Sequence, residues 1–261
     1  MDFLKKYSVT VGFLISLLLI VEIAVRLLDL PTWLFPAPSI VIIELFQTSG
    51  ELLPHVMATV KLTFIGLIAG SVLGFIVGIL LHLLPIVHKI GYPLILISQN
   101  IPTLVLAPLL IIWFGFGLMP KVVIIGLVCF FPIAIALLDG LRQTTPELRQ
   151  YFQMAGATKW QQFWKLELPF AMPALFSGLK IAATYSVMGA VITEWLGAKQ
   201  GIGVYMTLAQ SAFRTDRVFV AITLIVILSL CIFGIIRLIE ERVVHNYKKE
   251  GPQHANHSST S

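Results

Sequence analysis

Six long stretches of the chain are nearly free of charge, and polar residues gather in short groups between them. The apolar runs fall at residues 8–28, 62–84, 93–114, 122–138, 174–196 and 218–236. A bilayer core about 30 Å thick is crossed by roughly 20 apolar residues wound as a helix, so the pattern predicts six membrane spans. Residues 31–38 hold Pro31, Pro36 and Pro38, which break helix, and residues 39–46 then read as a short amphipathic helix lying at the surface. The expected layout is an anchor helix over 1–30, an outer segment over 31–61, a helical core over 62–244 and a polar, disordered tail over 245–261. His254 and His257 in that tail read as solvated side chains rather than metal ligands.

Composition supports a fold of membrane helices. Of 261 residues 57% are hydrophobic and only 12% charged, and the mean hydropathy is +0.92. A soluble core does not need that much apolar surface, so the excess faces lipid and the fold class is an all-α polytopic membrane protein. The net charge of +5 is not laid out as a basic stripe interleaved with aromatics, which argues against a nucleic-acid partner. Topology explains it better. With the N-terminus in the cytoplasm, the inner segments carry Lys5, Lys6, Lys89, Arg142, Arg149, Lys159, Lys165, Arg237, Arg242, Lys248 and Lys249. The outer segments carry Arg26, Lys121, Lys199, Arg214 and Arg217. That excess on the inside obeys the positive-inside rule and puts both termini in the cytoplasm. The first run follows Lys5 and Lys6 as a signal peptide would, but no small-residue cleavage site follows, so it reads as a retained anchor. Glu22 and Arg26 lie four apart on its outer end and can neutralise each other. Cys129 and Cys231 lie in apolar runs and read as small hydrophobes.

Several groups of residues stand out against this background. Gly66, Gly70, Gly74 and Gly78 recur every fourth residue in the second run and draw a smooth groove down one helix face. Such a face lets backbones approach closely, within the chain or between subunits. The third run contains Gln99, Asn100, Pro102, Thr103 and Pro108, and the fifth contains Thr184, Tyr185, Ser186, Thr193 and Glu194. Unpaired polar groups in hydrocarbon cost several kcal/mol, so these residues must face protein or a wet cavity. Gln99, Asn100, Thr103, Tyr185, Ser186 and Glu194 are therefore the candidate lining of a pathway, with structural hydrogen bonding as the competing role. Glu194 can equally pair with Lys199 or Arg214 at the surface.

The inner loop over residues 142–173 is too long and too patterned for an idle connection. Thr145 can cap a helix with Pro146 at its first position, Gly156 supplies a turn, and Thr158 with Gln161 forms a capping-box pattern opening a second helix that Pro169 should end. Trp160, Phe163, Trp164, Leu166 and Leu168 give that second helix an apolar face suited to a groove in a cytoplasmic partner, or to packing on its own bundle.

At these residues the chain resembles the permease family of ATP-binding cassette importers. The family's loop reads E-A-A, three residues, G, nine residues, I, one residue, L-P. Here Gly156, Leu166, Leu168 and Pro169 stand at that spacing, while Gln150, Tyr151 and Phe152 occupy the E-A-A positions. The run from Ala155, Gly156, Ala157 and Thr158 through Trp160, Phe163 and Trp164 to Leu168 and Pro169 is similar to the nitrate, sulfonate, taurine and thiamine-precursor branch. So are the stretch 108–117 and Glu194-Trp195-Leu196-Gly197-Ala198 running into Gly201-Ile202-Gly203. The resemblance covers residues 36–244 and implies that 62–244 is a permease core whose loop is a coupling helix. Implied partners are a cytoplasmic ATPase dimer, a second permease subunit of identical sequence, and an extracytoplasmic substrate-binding protein. The segment 194–216 most resembles carriers of pyrimidine precursors of thiamine. The implied location is the bacterial cytoplasmic membrane.

The chain has no G-x-x-x-x-G-K loop ending in Ser or Thr, so ATP and Mg²⁺ are expected on the partner ATPase and no cofactor or metal on this chain. An intramembrane hydrolase would need a nucleophile with a base, or a metal constellation; His55, His82 and His88 read instead as isolated histidines near span ends. A passive channel or scaffold would explain the spans but not the patterned loop.

Overall fold

The computed structural model describes residues 2–250, and the regular elements among them are all helical. In chain order they are α1 (Asp2–Leu27), α2 (Pro38–Gln47), α3 (Ser49–Leu83), α4 (Pro85–Ser98), α5 (Thr103–Phe114) and α6 (Leu118–Arg142). There follow α7 (Pro146–Met154), α8 (Lys159–Gln162), a π-helical turn over Phe163–Glu167, α9 (Leu168–Glu194), α10 (Ile202–Ser211) and α11 (Thr215–Glu250). Five helical stretches among the described residues are long and apolar enough to cross a bilayer: Ser8–Leu27, Ser49–Leu83, Leu118–Arg142, Lys159–Glu194 and Thr215–Val244. The expected third span is instead broken into α4 and α5 around residues 99–102. Pro102 has no N–H to continue the ladder, and its ring disfavours the helical conformation at Ile101.

Other boundaries also move. The segment expected to end at residue 61 joins the second span, because α3 begins at Ser49 and carries Pro54 within it. Helix α11 continues to Glu250, so the start of the expected tail is helical; residues 251–261, with His254 and His257, lie outside the described residues. Pro169 does not end the loop helix. The chain passes through the π turn into α9 without a break, and Leu168 donates its N–H five residues back to the Phe163 carbonyl. The wider π ladder removes the contact at which a proline ring would otherwise clash.

The chain forms two compact units, one from residues up to Val60 with Val191–Ile227, the other from Lys61–Ala190 with the chain from Leu228 onward. In the second unit α6 is the central helix. The glycine ridge of α3 lies against it: a Cβ at Gly70 would stand 2.6 Å from Cys129 Cβ and from the Gly126 carbonyl oxygen, one at Gly74 2.9 Å from the Phe130 carbonyl oxygen, and one at Gly78 3.0 Å from Leu137. Gly66 meets Ile125 in the same way. On α9, a Cβ at Gly178 would lie 2.6 Å from the Pro132 carbonyl oxygen and one at Gly189 3.4 Å from Ile125. Small residues on two neighbours thus let three backbones close on one another, which is how helices associate where lipid offers no hydrophobic contrast. All four glycines of that ridge pack within the chain.

The first unit is organised by polar contacts. Glu22 of α1 accepts from Arg26 Nε at 2.6 Å and from the Ser39 N–H at 2.9 Å, which ties α1 to the start of α2. Glu44 of α2 pairs with Arg214 at 2.9 Å and Arg217 at 2.8 Å, and Asp216 holds Arg214 at 2.8 Å. The hydrogen bond from Arg214 to Asp216 pushes its guanidinium pKa further up, so the charge persists at any physiological pH. Glu194, only 2% exposed, accepts from Thr59 Oγ1 at 2.7 Å and from the Gly203 N–H at 2.7 Å. Thr59 Oγ1 in turn accepts the Ile202 N–H at 2.8 Å, and the Gly201 N–H donates to His55 Nδ1 at 3.2 Å. Gly201, at φ 144°, has its missing side chain directed at the Glu194 carboxylate, so only glycine fits. The carboxylate thereby locks the start of α10 onto α3.

Two substitutions test these two units. Gly70→Leu should destabilise the detergent-solubilised protein by about 1–3 kcal/mol through overpacking, whereas Gly12→Ala, whose Cβ meets nothing within 4 Å, should stay within about 0.5 kcal/mol of the parent. Glu194→Ala should cost about 1–3 kcal/mol for each buried donor it orphans; thermal unfolding midpoints measure both, and a Glu194→Ala midpoint equal to the parent's would dismiss the lock.

Candidate functional site

The break between α4 and α5 opens onto a cavity of about 680 Å³ lined by Gln99, Asn100, Thr103, Asp139 of α6 and Tyr185 of α9, with apolar walls from Phe131, Pro132, Ile135 and Ile181. The end of α4 is closed by its own groups. The N–H groups of Gln99, Asn100 and Ile101 donate to the carbonyls of Ile95, Ile97 and Ser98 at 3.0, 3.1 and 3.1 Å, and Asn100 Nδ2 donates to the Leu96 carbonyl at 2.7 Å. Helix α5 starts behind Pro102 with no side-chain cap, and the Val105 N–H donates to the Pro102 carbonyl at 2.9 Å. An irregular backbone at membrane depth is tolerated where it borders a cavity or protein.

Four of the six expected pathway residues thus meet in one place: Gln99, Asn100, Thr103 and Tyr185. The other two do not. Ser186 is fully buried and donates to the Ala183 carbonyl at 2.7 Å, because it points away from Tyr185 into the helix stack. Glu194 belongs to the lock around Gly203, and of the two cations expected to pair with it, Lys199 and Arg214, the latter binds Glu44 and Asp216. Asp139 escaped the sequence reading. It lies at the end of an apolar run beside Gly140, where a lone carboxylate looks like the edge of a span rather than part of a site.

The loop segment divides into an outer and an inner face. Gly156 takes φ 78° and turns the chain between α7 and α8, and the Thr158–Gln161 capping box is present in both directions, at 3.2 and 2.9 Å. Thr145 occupies its cap position without a side-chain bond. Trp160 and Trp164 are 61% and 44% exposed, while Phe163 between them is fully buried; the rings stack edge to face, Trp160 on Trp164 at 5.5 Å and Phe163 on Trp164 at 5.4 Å. Packing on the bundle therefore takes Phe163 and Leu166, and the two tryptophans are left outward. Ala155, Gly156 and Ala157 border a shallow depression with Tyr151 and Phe152. Leu168 and Pro169 are half-buried where α9 begins.

Beneath this face Glu167 is buried and gathers three elements. It accepts from His82 Nε2 of α3 at 2.7 Å and from Gln162 at 3.1 Å, and lies 3.2 Å from Arg149 Nε of α7. The histidines are not isolated as expected: His55 meets Gly201, His82 meets Glu167, and His88 lies against Arg142 and stacks on Tyr92 at 5.2 Å. Sequence spacing signals only the His88–Tyr92 pair, four apart on α4; the contacts with Gly201, Glu167 and Arg142 come from other elements.

Comparisons with known proteins agree with this arrangement. Residues 70–245 match the family described as the inner membrane component of binding-protein-dependent transport systems. The chain is 34% identical to the formylaminopyrimidine transport permease protein ThiX of Halalkalibacterium halodurans, over 91% of this chain and 95% of that one. It is 30% identical to the taurine transport system permease protein TauC of Escherichia coli, over 92% and 90%. Its fold resembles the crystal structure of an amino acid ABC transporter with histidines, at a TM-score of 0.64 and 15% identity over 77% of this chain and 97% of that one. The chain therefore belongs to the inner membrane components of binding-protein-dependent transport systems, the permease family of ATP-binding cassette importers.

Proposed function

We propose that this chain, with a second permease subunit of the same sequence, forms the translocation path of an ATP-driven importer for a small polar solute of the aminopyrimidine class. The observation that carries the path is the broken α4–α5 element, whose polar break opens on the cavity of Gln99, Asn100, Thr103, Asp139 and Tyr185. The cargo class rests on the similarity to ThiX, a formylaminopyrimidine permease. An aliphatic sulfonate or taurine is the second reading, supported by the similarity to TauC.

In this reading Trp160 and Trp164, with Ala155 to Thr158 beside them, seat in a groove of a separate cytoplasmic ATPase dimer, which binds ATP and Mg²⁺. Large exposed aromatics at a turn suit such an anchor. Both termini lie in the cytoplasm, and residues 197–217 on the outer side receive a substrate-binding protein. ATP binding draws the tryptophan face inward, and the motion enters α9 through the uninterrupted π turn. The cavity then exchanges between inward- and outward-open populations. This polypeptide performs no chemistry of its own.

Gly156→Glu should insert normally but abolish uptake in cells, by adding charge at the docking face and straining a left-handed turn. Full uptake by that variant would remove the docking assignment, as would failure of the native protein to copurify with an ATPase subunit. Gln99→Leu should lower uptake about tenfold by orphaning a cargo hydrogen bond, with the ATPase subunit captured as before; unchanged uptake kinetics would make Gln99 a packing residue.

A further inference from the structure

The cavity has a sign. Among its described lining residues Asp139 is the one ionisable acid or base of full charge, beside the neutral amides of Gln99 and Asn100 and the hydroxyls of Thr103 and Tyr185. Asp139 is exposed to that space and takes part in no ion pair among the described residues. The cation adjacent to the lining residue Ile181, Lys180, is committed to Glu240 at 2.8 Å. A carboxylate accepts hydrogen bonds and donates none when ionised, so the group it suits is an amino N–H or a cation. An approaching anion is repelled by it, and low-dielectric walls such as Phe131, Pro132 and Ile135 strengthen that repulsion. The Gln99 amide and the Thr103 and Tyr185 hydroxyls, which line the same cavity, can donate to a ring nitrogen.

We infer that Asp139 is a specificity-determining residue that selects solutes presenting an N–H edge, as an aminopyrimidine does, and rejects solutes that are purely anionic, such as an alkanesulfonate. This deepens the functional reading above and rests on it. The acceptor carboxylate and these neutral donors together suit a heteroaromatic edge on which an exocyclic amine adjoins a ring nitrogen. Discrimination of this kind comes as much from the penalty against the wrong cargo as from contacts with the right one.

The test uses the complete importer, with its ATPase and binding protein, in proteoliposomes. Uptake of a radiolabelled 4-amino-5-hydroxymethyl-pyrimidine and of ethanesulfonate is followed together with ATP hydrolysis. The parent should take up the aminopyrimidine and not the sulfonate. Asp139→Asn should raise the aminopyrimidine KM about tenfold or more, the loss of a charge-assisted hydrogen bond, with ATP hydrolysis still stimulated by the loaded binding protein. Asp139→Glu, which keeps the charge, should restore most of the uptake. Asp139→Asn kinetics equal to the parent's, or a loss that Asp139→Glu shares in full, would overturn the assignment of Asp139 alone. A parent that takes up ethanesulfonate and no aminopyrimidine would overturn this inference and the aminopyrimidine cargo together.

Discussion

In hydrocarbon a backbone N–H or C=O without a partner costs several kcal/mol, and that penalty governs where this chain can depart from helix. Residues 99–102 depart from it within the apolar stretch 93–114. The α4 side of the break is closed internally, by three backbone bonds and by Asn100 on the Leu96 carbonyl. The α5 side is closed less completely: Pro102 brings no N–H, no side chain caps the new start, and the Val105 N–H turns back to the Pro102 carbonyl at 2.9 Å. Such an irregular backbone is tolerated at membrane depth where it borders a cavity, and the polar lining here meets that requirement.

The remainder of the second unit supplies a rigid wall for that break. Gly66 to Gly78 on α3 and Gly178 and Gly189 on α9 bring two backbones against α6, so α6 holds Asp139 and Phe131 in a fixed frame. The exposed tryptophan face is connected to this frame differently. From Thr158 the chain runs through α8 and the π turn into α9 with no intervening loop, and α9 carries Tyr185 to the cavity wall. A push on Trp160 or Trp164 therefore has no flexible connection in which to dissipate. Glu167 ties the π turn to α3 through His82 and to α7 through Arg149.

Much of this was legible from hydrophobic periodicity and spacing. Runs of roughly 20 apolar residues located the spans, four-residue glycine spacing located the α3 packing face, and Thr158 with Gln161 announced its capping box, because each depends on near neighbours in the chain. The prolines misled twice in opposite directions. Pro169 was read as a stop, but the π turn before it absorbs its ring; Pro102 was read as lying inside a span, yet it breaks one. Both outcomes turn on the backbone of the preceding turn, which residue type does not specify. Glu194 reads from sequence as pathway lining or as a surface ion pair, while its donors, Thr59 and Gly203, come from another helix and from the far end of a loop. Asp139 was missed for the same reason: only the folded helices bring it opposite Gln99 and Tyr185.

Identity along the whole chain is a poor guide to cargo in such a protein. Relatives named for formylaminopyrimidine and for taurine transport both align over more than nine-tenths of this chain, at 34% and 30% identity. In the proposed path, the side chains able to differ in sign and in hydrogen-bonding capacity are the few at the α4–α5 break. Among those, amides and hydroxyls can donate or accept and so accommodate many polar solutes. A carboxylate cannot adapt in that way, because its charge favours an N–H edge and opposes an anion over a distance longer than any hydrogen bond. In the proposed path, a carboxylate at Asp139 therefore sets a sign that whole-chain identity does not record.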